Sequence, residues 1–252
     1  MTTSFTVITP AYNCKDKIER SLWSVIGQTH TDWKMIILDD MSTDDTGEYI
    51  KNFASKHGLE EKIVVKRREE KYGETRNTFA ECRLLDGDDV VVRLDAGDYL
   101  TDLGCFEILD REYKEHDPAV IWTNQRWTLQ PVNFAGKYQP FNLSGPIDIE
   151  TSFYEQPWKT SHLKTFRARD FKGINPKNFK DENGDWIMIA CDQAVFLPML
   201  ERARLRKRPL MYIPKTLYHY DCDVFERDQF FNDRAYTQKD TAGWLRERGY
   251  IP

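Results

Sequence analysis

Acidic side chains recur where apolar runs end in the first hundred residues. Asp39 and Asp40 close the run Trp33-Lys34-Met35-Ile36-Ile37-Leu38. Asp95 and Asp98 close Val90-Val91-Val92-Arg93-Leu94, with only Ala96 and Gly97 between them. Small residues at a strand end let a ligand come close to the backbone. Carboxylate oxygens at such an end suit a hard divalent cation, Mn2+ or Mg2+, that also holds phosphates. A solvated acidic turn is the alternative for this stretch taken alone.

The elements that would position these carboxylates follow from the apolar pattern. Phe5-Thr6-Val7-Ile8-Thr9 reads as a first strand stopped by Pro10. Helical spacing from Asp16 carries Ile18, Leu22, Val25 and Ile26. Ser42 to Thr46 offers N-caps for a helix through Ile50, Phe53 and Ala54, with Gly58 as its stop. Ile63-Val64-Val65 is a third strand, and Gly73 to Asn77 leads a further helix. Alternating strands and helices predict α/β architecture: a mostly parallel central sheet with helices on both faces. Parallel strands bring their carboxyl ends to one edge, where ligands of open sheets bind.

Beyond Tyr99 the pattern changes. Thr101 is a cap candidate for a helix through Leu103, Phe106, Leu109 and Tyr113, and Val120 to Asn124 is a strand. Residues 126 to about 160 read as loops and short strands over one face. Ser161 to Arg167 reads as a short helix or turn, and Asp192 to Arg204 as a helix kinked near Pro198. Leu210 to Ile213 and Leu217 to Tyr220 read as two strands parted by Pro214, and Thr237 to Arg248 as a surface helix. We expect one domain over 1–252: a first half (1–99), a second half (100–220) and a helical tail (221–252).

Composition narrows the class. The chain has 252 residues, 31% of them charged, and a net charge of −5, with no basic tail for nucleic acid. Its densest basic stretch, Arg202 to Arg208, reads as a solvated helix end, with anionic lipid or a sugar-phosphate acceptor as the alternative. Five scattered cysteines without a C-x-x-C pair argue against zinc and against a disulfide framework. No signal-like start and no membrane-length apolar run is present, so a cytoplasmic protein is expected, with peripheral membrane contact left open. No glycine-rich loop follows the first strand, which disfavours a nucleotidyltransferase and a dinucleotide oxidoreductase.

Four stretches, in this order, resemble the family-2 inverting glycosyltransferases of GT-A fold: Thr6-Val7-Ile8-Thr9-Pro10-Ala11-Tyr12-Asn13, Ile37-Leu38-Asp39-Asp40-Met41-Ser42-Thr43-Asp44, Arg76-Asn77 and Leu94-Asp95-Ala96-Gly97-Asp98. The resemblance covers about the first two-fifths well. It continues loosely through His162 to Arg167 and Cys191 to Ala194. It implies a nucleotide-diphosphate sugar donor, a UDP-sugar, and a glycan, lipid-linked or protein acceptor.

By position, the resemblance implies Asp98 and then Asp95 as metal ligands in a DXD-like motif, with His219 completing the shell. It implies Asp40 on a pyrimidine base, Asp39 beside it, Thr9 and Tyr12 at the nucleoside, and Arg76 on the pyrophosphate. Asp192 is the implied general base, with Asp185 as its fallback. His162, Lys164 and Arg167 are candidates for an acceptor or donor phosphate, and Trp122, Trp127, Trp158 and Trp186 for an acceptor platform. Two departures stand out: Gly97 where the family commonly has Asp, and Met41 where it usually has Gly. A GT-A-like nucleotide-binding module without catalysis is the alternative function.

Overall fold

A computed structural model describes residues 2–129, 142–221 and 233–252. The chain runs β1 (Phe5–Ala11), α1 (Ile18–Ile26), β2 (Trp33–Asp39), α2 (Thr46–Lys56), β3 (Ile63–Arg67), α3 (Gly73–Cys82), β4 (Val90–Arg93), β5 (Tyr99–Leu100) and α4 (Cys105–His116). It continues through β6 (Val120–Trp127), β7 (Lys164–Arg167), α5 (Ala168–Lys172), a 3-10 turn (Pro176–Phe179), α6 (Cys191–Leu205), β8 (Leu210–Tyr220) and α7 (Asp233–Arg248).

The strands form one eight-stranded sheet, in the order β3-β2-β1-β4-β7-β6-β8-β5. The expected α/β class holds, with the β3-β2-β1-β4 block parallel throughout. β7 enters antiparallel between β4 and β6. Both sheet faces are buried, as the apolar runs require. Phe5, Val7, Val90 and Val92 face the core under α1, α2 and α4. Ile8, Ile36 and Val91 face the other core, against α6. The two-residue period thus sends neighbouring valines of β4 to opposite cores.

Four local expectations are corrected. Ser161 to Arg167 is not helical: Lys164–Arg167 is strand β7, whose β-branched and aromatic Thr165 and Phe166 pair with β4 and β6. Leu210 to Tyr220 is a single strand, because a register shift opposite Thr123 to Gln125 absorbs Pro214 and Lys215. Thr101 does not cap α4, which begins at Cys105. Its hydroxyl donates to the Thr216 carbonyl instead. β1 also runs through Pro10, which stays in register with Leu38. The expected loops over residues 126–160 lie partly outside the described residues, as does Cys222.

Candidate active site

The carboxyl ends of β1, β2 and β4 lie side by side, since Ala11 pairs with Asp39 and Ile8 with Arg93. β7 runs the opposite way, so its first residue, Lys164, arrives at the same edge opposite Arg93. An antiparallel strand starts where its parallel neighbours finish, and that places a lysine among the acids.

At the end of β2 the two aspartates divide their work. Asp40 accepts from the Tyr72 amide (2.7 Å), the Gly73 amide (2.9 Å) and Asn77 Nδ2 (3.0 Å). It ties the loop to the first turn of α3, where free amides favour an anion. Asp39 accepts from the Ser42 amide (2.9 Å) and from Arg67 (3.0 Å). Asp39 and Arg67 line a cavity of about 470 Å³ with Ser42, Thr43, Asp45, Gly47, Glu48, Lys51 and Val65. Asp40 is not among its lining residues. Met41 has φ +68, a conformation that accounts for the glycine usual there.

Thr9, two residues before the end of β1, is fully buried, its hydroxyl without a hydrogen-bond partner. Tyr12 is exposed rather than packed in the core, and the Lys71 ammonium sits 3.4 Å from its ring centroid. Arg76 pairs with Glu70 at 2.9 Å and lies over the Tyr72 ring at 3.6 Å.

The acid loop after β4 is held from three sides. The Ser21 hydroxyl of α1 donates to the Asp98 carbonyl and accepts from the Gly97 amide. Gly97 has φ +101, so backbone geometry favours glycine where the family commonly has Asp. Asp98 is buried and accepts from Tyr218 Oη (2.5 Å) and from the Asp221 amide (2.8 Å). Burial and then the neighbouring Asp95 push its carboxyl well above the ordinary range. Asp95, Asp98 and Asp221 line one small cavity of about 90 Å³ with Lys17, Ala96, Gly97 and Tyr220.

These hard oxygens fit a divalent cation, whose charge would offset the burial that disfavours an ionised Asp98. Among the described residues no three acidic, imidazole or thiol groups form a ready metal cluster. Both ring nitrogens of His219 are engaged. Arg126 Nε donates to Nδ1 at 3.0 Å, and Thr128 Oγ1 lies 2.8 Å from Nε2. The ring also stacks on Tyr99 at 4.4 Å.

Arg93 ties the acid loop to α3. That buried guanidinium donates to Glu74 (2.7 Å), Asp95 (3.1 Å) and the Thr78 hydroxyl. Burial raises Glu74 to about 7 against the opposing pull of Arg93. Asp192 sits in the first turn of α6, whose N-cap is Ala190, so it does not cap the helix through its own position. Its carboxylate instead bonds to the Lys164 ammonium and lies 3.6 Å from His162 Nε2. Burial raises the Asp192 carboxyl, but Lys164 and His162 outweigh it and the group lies below the ordinary carboxylate range. Asp185 lies farther back, in the turn closed by Asp181.

Arg67, Glu74, Arg93, Tyr218 and Asp221 were not among the expected site residues. An arginine inside the valine-rich β4 was the readable signal, because a buried guanidinium demands carboxylate partners. Tyr218 and Asp221 gave no such signal, since β8 contacts the acid loop only through the folded sheet.

The glycosyl transferase family 2 model matches residues 6–178, and the chain belongs to that family of glycosyltransferases. It is 43% identical over 67 residues to the putative teichuronic acid biosynthesis glycosyltransferase TuaG of Bacillus subtilis, covering 27% of this chain and 25% of that one. It is 32% identical over 118 residues to the chondroitin synthase of Escherichia coli, covering 46% of this chain and 16% of that one. The match to each of these curated relatives thus spans a quarter of its length or less.

Among solved structures, S. aureus TarS in complex with UDP-GlcNAc superposes with a TM-score of 0.63 at 18% identity, over 89% of this chain and 60% of that one. The mannosyltransferase PcManGT of Pyrobaculum calidifontis, in complex with GDP-Man and Mn2+, gives 0.64 at 15% identity over 100% and 66%. Both show the same fold. No helix among the described residues is long and apolar enough to cross a membrane.

Proposed function

We propose that the chain transfers a sugar from a UDP-sugar to an acceptor hydroxyl with inversion at the anomeric carbon. The observation that carries this reading is the shared strand edge. There a nucleoside-sized cavity at Asp39, the acid loop Asp95 to Asp98 and the ionised Asp192 lie on adjoining strands and on the helix packed beside them. Family membership and two nucleotide-sugar-bound structural neighbours support it.

Asp39 and Arg67 face the base, and Thr9 and Tyr12 border the nucleoside. This moves the base contact from Asp40 to Asp39, because Asp40 is already spent on the α3 amides. Arg76 stands by for the pyrophosphate, within reach once it leaves Glu70. Asp98 and Asp95 would hold a divalent metal, which neutralises the departing diphosphate when bound. His219, bonded on both nitrogens, supports the strand pairing of the loop rather than the metal.

Asp192 accepts the proton of the acceptor hydroxyl as that oxygen bonds to the anomeric carbon. The bond from that carbon to the phosphate oxygen breaks, and the nucleoside diphosphate leaves from the opposite face. One displacement inverts the centre. The acceptor is a glycan, lipid-linked or protein hydroxyl on the Asp192 side.

Thermal stabilisation by UDP, GDP, dTDP and CDP, with and without Mn2+, tests the donor site. A ligand at a hundred times its dissociation constant adds about 2.7 kcal/mol. A shift with UDP that needs Mn2+ and is lost in Asp98→Asn is expected. No shift with any nucleotide would contradict the reading. A shift without nucleotide release from any UDP-sugar would make the chain a binding module.

A further inference from the structure

Lys164 is fully buried, yet its ammonium has one carboxylate partner, Asp192. Aromatic faces take the place of water on its other sides, with the Phe196 ring centroid at 4.4 Å and that of Trp158 at 5.4 Å. The backbone fixes it as well, since Lys164 is paired on both sides, with Arg93 of β4 and Trp122 of β6. His162, two residues earlier, is buried and stacks on Tyr218 at 4.7 Å, the same tyrosine that donates to Asp98. A charge on a fixed strand thus meets the first turn of α6, and a ring contact ties the pair to the acid loop.

We infer that Lys164 is a positioning residue for the proposed base, holding the Asp192 carboxylate in place and supplying its countercharge, with His162 as the lateral support. This rests on the role proposed for Asp192. A lysine this buried is costly unless it is paired, and removing one partner leaves an uncompensated charge. The charges bearing on Asp192 are Lys164 and His162 from β7 and its lead-in, Arg93 from β4 and Glu74 from α3. Burial and then the Lys164 charge lower His162 from the ordinary imidazole range, and Lys164 is the nearer of the two to Asp192. The Arg93 guanidinium is shared with Glu74 and Asp95.

The test is a carboxyl 13C titration of Asp192, assigned with Asp192→Asn, in the donor-free native chain and in Lys164→Met. In the native chain the signal stays ionised to the lowest pH at which the protein is folded. In Lys164→Met its midpoint rises by about two pH units or more. His162→Asn shifts it the same way by less.

If Lys164→Met does not fold, Lys164→Gln carries the same measurement. Lys164→Met combined with Asp192→Asn removes both charges and is expected to fold. An unchanged Asp192 midpoint in folded Lys164→Met or Lys164→Gln overturns the inference. The pH profile of UDP release from a UDP-sugar then separates the two claims. An acidic limb that moves up with the midpoint supports both. A moved midpoint with an unmoved limb keeps the charge pair but removes Asp192 as the base.

Discussion

Tyr218 Oη donates to Asp98 Oδ2 at 2.5 Å across 120 residues of chain, joining the last strand to the acid loop. The bond fixes one carboxylate oxygen while the Asp221 amide holds the other. Tyr218→Phe keeps the ring stacked on His162 and removes only the hydroxyl. We expect it to cost about 1 kcal/mol in unfolding stability. We also expect Mn2+-dependent UDP binding to weaken about tenfold, read by calorimetric titration. Native-like binding in the folded variant would show that the loop holds its geometry without Tyr218.

The proposed function makes Asp40 a structural residue and Asp39 a ligand contact. Asp40→Ala strips three donors of their acceptor at the start of α3. Each donor left unpaired in a buried setting costs about 1–3 kcal/mol, so urea denaturation should show a loss of at least about 2 kcal/mol. Asp39→Asn keeps an oxygen for the Ser42 amide and gives up charge against Arg67. It should lose UDP affinity with a smaller change in stability. The opposite pattern would return the base contact to Asp40.

Glu74 predicts a slope of stability with pH. Its folded value of about 7 lies above its ordinary 4.5, so the folded protein keeps a proton that the unfolded chain has released. Between those values the native state binds more protons, and stability from this group falls as pH rises. Glu74→Gln removes that contribution. The difference in unfolding free energy between native and variant should drift in the variant's favour from about pH 5 to pH 7 and level off above. A difference independent of pH would place Glu74 at an ordinary value.

The parallel half was legible because its signals are local. Valine runs, capping residues and strand-end acids sit within a few positions of one another, and Met41 and Gly97 marked positions that both take positive φ. The acceptor half was less so. Lys164–Arg167 is only a four-residue strand, too short for periodicity to show. Pro214 split β8 in the reading because a bulge compensates it only in three dimensions. Asp192 was singled out by its place in a motif, but its ion-pair partner Lys164 is 28 residues away and meets it because β7 runs antiparallel to β4. The resemblance implied His219 as a metal ligand, and nothing local in the sequence announced the two cross-strand partners on β6 and just beyond it that bond to its ring.

The central claim is that Asp192 takes the proton of the attacking hydroxyl. Its most direct test is UDP release from a UDP-sugar at saturating Mn2+, with water as the attacking hydroxyl, comparing the native chain with Asp192→Asn. UDP affinity is measured on the same samples. The account predicts that Asp192→Asn binds UDP as the native chain does and releases it about a hundredfold to ten-thousandfold more slowly. Native-rate release by a folded Asp192→Asn chain would contradict it.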